Sequence, residues 1–103
     1  MNALKKTLID YGCPSNGSYV EDSLDAVGCS FRKLGEILIN VGTVLEEYTE
    51  DNIYIVSVRV KLNPATVAIQ IKNGKIKMVS YAKEGLIKQK TAQKAVDKIK
   101  ACF

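Results

Sequence analysis

Between residues 53 and 81 the chain alternates, and that alternation restricts the folds open to it more than any other feature. Over 53–62, Tyr54, Val56, Val58, Val60 and Leu62 fall on one side and Ser57, Arg59 and Lys61 on the other. This is the period-two pattern of a strand with one face in a core. Asn63-Pro64 punctuates the run, because proline has no N–H to give to a ladder. Over 65–72 the alternation resumes, with Val67, Ile69 and Ile71 inward and Thr66, Gln70 and Lys72 outward. Asn73-Gly74 then supplies two residues that tolerate the positive φ of a type I′ turn. A two-residue loop sets Lys72 opposite Lys75, Ile71 opposite Ile76, Gln70 opposite Lys77 and Ile69 opposite Met78. Each apolar residue thereby meets an apolar one, which supports that register.

The flanking segments read as helices. Leu4, Leu8 and Tyr11 recur at helical spacing over 2–11, with Gly12 placed to end the helix and Pro14 to prevent its continuation. Ser18-Tyr19-Val20-Glu21 matches a capping box and predicts a short helix over 19–27 that buries Val20, Leu24 and Val27. Ser30 is a natural N-cap for a third helix whose stripe is Phe31, Leu34, Ile37, Leu38 and Val41, stopped by Gly42. Residues 43–48 fit either a continued helix or a strand; the β-branched Thr43-Val44 after Gly42 favours the strand. A connector over 83–88 leads to a last helix over 90–102, with Ala92, Ala95, Val96, Ile99 and Cys102 on one side and mostly lysine and glutamine on the other. The expected architecture is one α+β domain over 1–103. It has N-terminal helices, an antiparallel meander of three to four strands, and a C-terminal amphipathic helix packed on one face of the sheet. The opposite face is expected to be basic and exposed to solvent.

Composition narrows the chemistry. At 103 residues, 47% hydrophobic and 25% charged, the chain has the apolar content of a folded domain. No run approaches the roughly 20 apolar residues of a membrane span, and the N-terminus lacks a secretory signal pattern. Cys13, Cys29 and Cys102 are odd in number and form no C-x-x-C pair, so they read as reduced thiols of a cytoplasmic protein rather than as a disulfide framework or zinc site. Histidine is absent, which removes the commonest general base and metal ligand. No phosphate-binding glycine loop and no metalloprotease motif occurs. The expectation is a protein that is not an enzyme and has no cofactor and no metal.

Charge supplies the functional lead. Residues 1–51 carry four bases against nine acids, a net of −5, whereas residues 52–103 carry eleven bases against two acids, a net of +9. A strongly basic half favours an anionic partner. The candidate nucleic-acid-binding residues are Arg59, Lys61, Lys72, Lys75 and Lys77 on the outer sheet face and hairpin, Lys88 in the connector, and Lys90, Lys94 and Lys98 on one stripe of the last helix. With two arginines in the whole chain, contact with DNA or RNA would be backbone-directed and weakly sequence-specific. The alternative is a protein-interaction module, an adaptor, immunity or inhibitor protein of the phage or mobile-element type. It would use the acidic edge Glu46, Glu47, Glu50 and Asp51 or an exposed strand. Self-association of the acidic half with the basic half of another copy is a third expectation. Nothing predicts a membrane partner.

The order helix, strands, lysine-bearing helix resembles that of double-stranded-RNA-binding domains. Gln89-Lys90-Thr91-Ala92-Gln93-Lys94-Ala95 is similar to the Lys-Lys-x-Ala-Lys motif whose lysines span major-groove phosphates in that family. Aligned on Ala92, Lys90 matches, while Gln89 and Gln93 stand where the family has lysine. The family's Gly-Pro-x-His loop has no counterpart. The likeness names no family for the chain.

Overall fold

The computed structural model describes residues 3–61, 63–83 and 90–103. Among them α1 (Ala3–Tyr11), β1 (Tyr19–Asp25), α2 (Phe31–Ile39), β2 (Thr43–Tyr48), β3 (Ile53–Val60), β4 (Asn63–Lys72), β5 (Lys75–Tyr81) and α3 (Thr91–Lys100) follow one another. The strands form one antiparallel sheet in the order β1-β5-β4-β3-β2. The α+β class and the C-terminal helix against the sheet are as expected, with one strand more than the meander predicts. No helix among the described residues is long and apolar enough to cross a membrane.

The central hairpin forms in the expected register. Asn73 and Gly74 take φ of 54° and 74°, and the pairs Lys72–Lys75, Ile71–Ile76, Gln70–Lys77 and Ile69–Met78 face one another. The β3–β4 turn comes earlier than the proline implies. Lys61, expected on the outer face of a strand, turns the chain with φ 55°, and Asn63 and Pro64 already belong to β4 opposite Val60 and Arg59. Pro64 lies beyond the last β4–β5 pair, Thr66–Tyr81, where β4 has a single neighbour and the missing N–H is tolerated. Leu62, expected inward, lies outside the described residues, as does most of the 83–88 connector.

Residues 19–27 do not form the predicted helix. Tyr19–Asp25 is an edge strand paired over its full length with β5. Val20 and Leu24 satisfy a helical spacing and a period of two equally, and Tyr, Val, Ser and Asp are weak helix formers. The open edge of β5 decides the matter by giving seven residues registered partners. Asp22, between those two apolar residues, faces α3, where Lys100 Nζ meets its carboxylate at 3.0 Å. That bond, with the Ser23 amide, holds the Asp22 carboxyl below its ordinary range.

Two cores result. On one face α2 and α3 bring Leu34, Leu38, Ala95, Val96 and Ile99 onto Tyr54, Val56, Val58, Val67, Ile69, Ile76 and Met78. On the other, α1 lays Leu4 and Leu8 on Ile53, Ile55, Ala68 and Val79. The second face is therefore not the solvent-facing basic surface expected; α1 covers its centre. Helix α2 starts as predicted, with Ser30 Oγ accepting from the Lys33 amide at 3.0 Å, and the segment after it is the strand β2. The crossing at Gly42 is so close that a Cβ there would strike the Ser57 carbonyl oxygen.

Removing Leu8 or Leu38 by mutation to alanine will each cost about 2–5 kcal/mol in denaturant unfolding, because both side chains are fully buried. A Leu8→Ala loss well under about 1 kcal/mol would show that α1 is not a packed layer. Ser80 is also fully buried, and its hydroxyl has no hydrogen-bond partner among the described residues. Ser80→Ala is expected to raise stability by on the order of 1 kcal/mol, since it removes an unmet desolvation cost; a loss would overturn that reading.

Candidate functional site

The basic side chains are built from two separate pieces of the fold. By strand parity Lys72, Lys75 and Lys77 share the α1 face of the sheet with Gln70 and Val79, but they stand past the helix, at the hairpin end. Lys72 and Lys75 are direct cross-strand neighbours, a pairing that repels. All three are exposed, and none makes an ion pair with a carboxylate among the described residues. With Gln70 and Asn73 they line a shallow depression. The platform beneath is braced on both sides. Gln70 Nε2 donates to the Asp51 carbonyl at 2.9 Å, the Ile71 amide bonds the Asn52 carbonyl, and the Ala26 amide bonds the Gly74 carbonyl at 2.8 Å.

The remaining predicted bases lie elsewhere. Arg59 faces Pro64, and Pro64 and Lys72 are eight residues apart on β4, about 27 Å at strand rise. Lys61 follows Arg59 at that far end. Lys98 Nζ reaches the Arg59 carbonyl at 3.4 Å, so it belongs to the far end as well. Helix α3 packs on the opposite face from the hairpin lysines, through Ala95, Val96 and Ile99, and exposes Lys90 and Lys94. Lys90, which the likeness to double-stranded-RNA-binding domains matched, is the N-cap and takes a left-handed φ of 55°. Lys88 and Gln89 lie outside the described residues. The structure thus joins Lys72, Lys75 and Lys77, groups Arg59, Lys61 and Lys98 at the other end, and brings neither group to the other.

The acidic candidates gather at the β2 edge. Glu46 pairs with Ile55 and Glu47 with Tyr54, on opposite faces, with a bulge between Val44 and Glu46. Glu50 and Asp51 occupy the following turn. All four are exposed, and no cluster of three metal-ligating side chains exists among the described residues.

Sequence reading missed the aromatic floor beside this edge. Tyr54 stacks on Phe31 with ring centroids 4.1 Å apart and planes 12° from parallel. Its hydroxyl donates to the Phe31 carbonyl at 2.8 Å. Gly35, which looks like a weak point in α2, is where that hydroxyl sits; a Cβ would collide with it. The available signal was a glycine inside an otherwise regular apolar stripe. Burial, then the negative charge of Glu47, pushes the Tyr54 phenol above its ordinary value, with Glu36 adding to it. Burial likewise raises Tyr19, whose ring lies 5.2 Å from that of Tyr81 and 4.9 Å beneath the Lys5 ammonium.

No family model matches the chain, and no curated protein or solved structure is significantly similar to it.

The two raised phenols set a pH dependence. A group whose folded pKa lies above its unfolded one holds its proton longer in the native state, so its contribution is complete below the unfolded tyrosine value of about 10 and is lost as pH rises through the folded one. An ultraviolet titration is expected to show the Tyr19 and Tyr54 phenols ionising above the unfolded tyrosine value, with stability falling in the same alkaline window. Tyr54→Phe should remove one late ionisation. Five tyrosines titrating together near their ordinary value would contradict this account.

Proposed function

We propose that this protein is a non-catalytic binding module that holds a nucleic-acid backbone against the β4–β5 hairpin. The observation that supports the reading is the set of three exposed lysines on β4 and β5, with Lys72 and Lys75 held directly opposite each other. None is in an ion pair among the described residues, although Asp25 stands across from Lys75 on β1. Like charges fixed at that spacing destabilise the free protein mildly, and a phosphate lying between them relieves the repulsion. Lysine serves phosphate as a point charge and carries no bidentate fork for reading base edges. Binding is therefore sequence-tolerant.

Geometry limits the footprint. The far-end group and α3 are too distant, and face too differently, to touch the same short stretch of backbone, so about three phosphates are neutralised. Counterion release then gives a slope near −3 in log affinity against log salt, a loss of about 40-fold between about 50 and 200 mM. Engagement of all eight candidate bases among the described residues would give a slope near −7.

Fluorescence anisotropy with duplex and single-stranded DNA and RNA tests the reading. Binding at about 50 mM salt with the shallow slope is expected, weakened at least tenfold by Lys72→Glu with Lys75→Glu and changed less than twofold by Lys94→Glu with Lys98→Glu. Which nucleic acid binds best is an outcome of the comparison. No binding to any of the four, or loss through the helix variant alone, defeats the proposal.

A further inference from the structure

The lysine strip on the hairpin is narrow, and its borders carry the opposite charge. Lys72 lies on β4, and Lys75 and Lys77 lie on β5, so the strip spans one strand spacing, about 5 Å. On the β5 side the next strand is β1, where Asp25 stands directly across from Lys75 and Ser23 across from Lys77. Glu21 borders the same depression as Lys75 and Lys77. On the β4 side Gln70 holds the Asp51 carbonyl at 2.9 Å. Asp51 lines a depression with Asp10 of α1 and with Ile53, on the sheet face that bears the lysines. Asp25 and Asp51 are exposed and make no ion pair among the described residues. Helix α1 closes the third side, over Ala68 and Val79. The turn end is the open side. There Val27, 91% exposed, stands so near that a Cβ on Gly74 would meet its Cγ2 at 3.6 Å.

These borders separate two forms of nucleic acid. In B-form DNA the second backbone runs about 6 to 12 Å from the first, across the minor or the major groove. With one backbone on the strip, the other comes down toward Asp25 or toward Asp51, within a screening length of about 10 Å. A duplex is also stiff over about 150 base pairs and cannot bend away from a border. A single strand has no second backbone. It can set its phosphates on the lysines and leave over the turn. Its bases are unstacked, so a base or sugar face is available to cover Val27, whereas a duplex hides its base faces in the stack.

Resting on the reading of the hairpin as a phosphate site, we propose that this site takes single-stranded nucleic acid in preference to duplex. The acidic borders reject the second backbone, and Val27 rests on the unstacked strand. A duplex engages the same lysines more weakly. About three phosphates neutralised on a single strand correspond to a salt slope near −2, against near −3 for a duplex. The preference holds for DNA and RNA alike, since it depends on backbone charge and not on the 2′-hydroxyl.

Anisotropy titrations at about 50 mM salt with oligonucleotides of about 12 residues, as single strands and as duplexes, in DNA and in RNA, test the preference. The single strands are expected to bind at least fivefold more tightly than the duplexes. Asp25→Asn with Asp51→Asn should narrow that gap at least threefold by raising duplex affinity. Both side chains are exposed, and the Asp51 contact to Gln70 is made by its backbone, so the fold is retained. Val27→Ser should narrow the gap at least twofold from the other side, by weakening the single strand. Equal affinity for the two forms, tighter duplex binding, or a gap that neither variant narrows overturns the preference and leaves the hairpin site standing. Binding of neither form, or single-strand binding indifferent to Lys72→Glu with Lys75→Glu, overturns both.

Discussion

The register of β4 against β5 is the constraint on which the remaining structure rests. Asn73 and Gly74 both adopt positive φ, a conformation whose twist matches that of the strands it joins. With that turn fixed, the β5 residues facing α3 are Ile76 and Met78, and those on the other face are Lys75, Lys77 and Val79. β5 then offers an open edge in the correct phase for β1, whose Val20 and Leu24 join the larger core and whose Asp22 meets Lys100. A slip of one residue would turn the apolar set of β4 and β5 outward and bury the lysines, a cost that every later contact would share. The same register places Lys72 across from Lys75. Core and candidate site thus have one cause.

The parts of the fold readable in the sequence are those whose signals are local. A period of two, an Asn-Gly pair and a serine N-cap each carry their meaning within a few residues, and β3, β4, β5 and α2 follow from them. β1 was hidden because its identity depends on a neighbour fifty or more residues away; alone, its spacing and the Ser18–Glu21 pair read as helix. The cover of the second face by α1 was legible in principle. Ile53 and Ile55 occupy outward positions of β3, and apolar residues on both sides of a strand signal burial on both faces. Ser57, Arg59 and Lys61 drew the reading toward solvent, yet they describe only the far end of that strand.

The candidate site divides in the same way. The three hairpin lysines are found together because turn arithmetic alone fixes them. The helix lysines share a stripe, as their spacing of four requires, but periodicity does not say which face of a sheet a helix covers or at which end it lies. Packing decides that: Ala95, Val96 and Ile99 lie on the face away from the hairpin lysines. The aromatic floor beside β2 depends on Gly35 making room for Tyr54, a meeting of residues nineteen positions apart that no local pattern announces.

Charge segregation along the chain therefore becomes, in three dimensions, two basic surfaces and one acidic edge beside an aromatic floor. The central claim is that the hairpin surface acts alone on a polyanion. Amide chemical-shift mapping with a short duplex at low salt tests it most directly. The account predicts perturbations confined to residues 70–77 and the adjoining 23–27, with α3 and residues 59–61 silent. Shifts centred on Lys90–Lys98, or spread evenly over both basic surfaces, would contradict it.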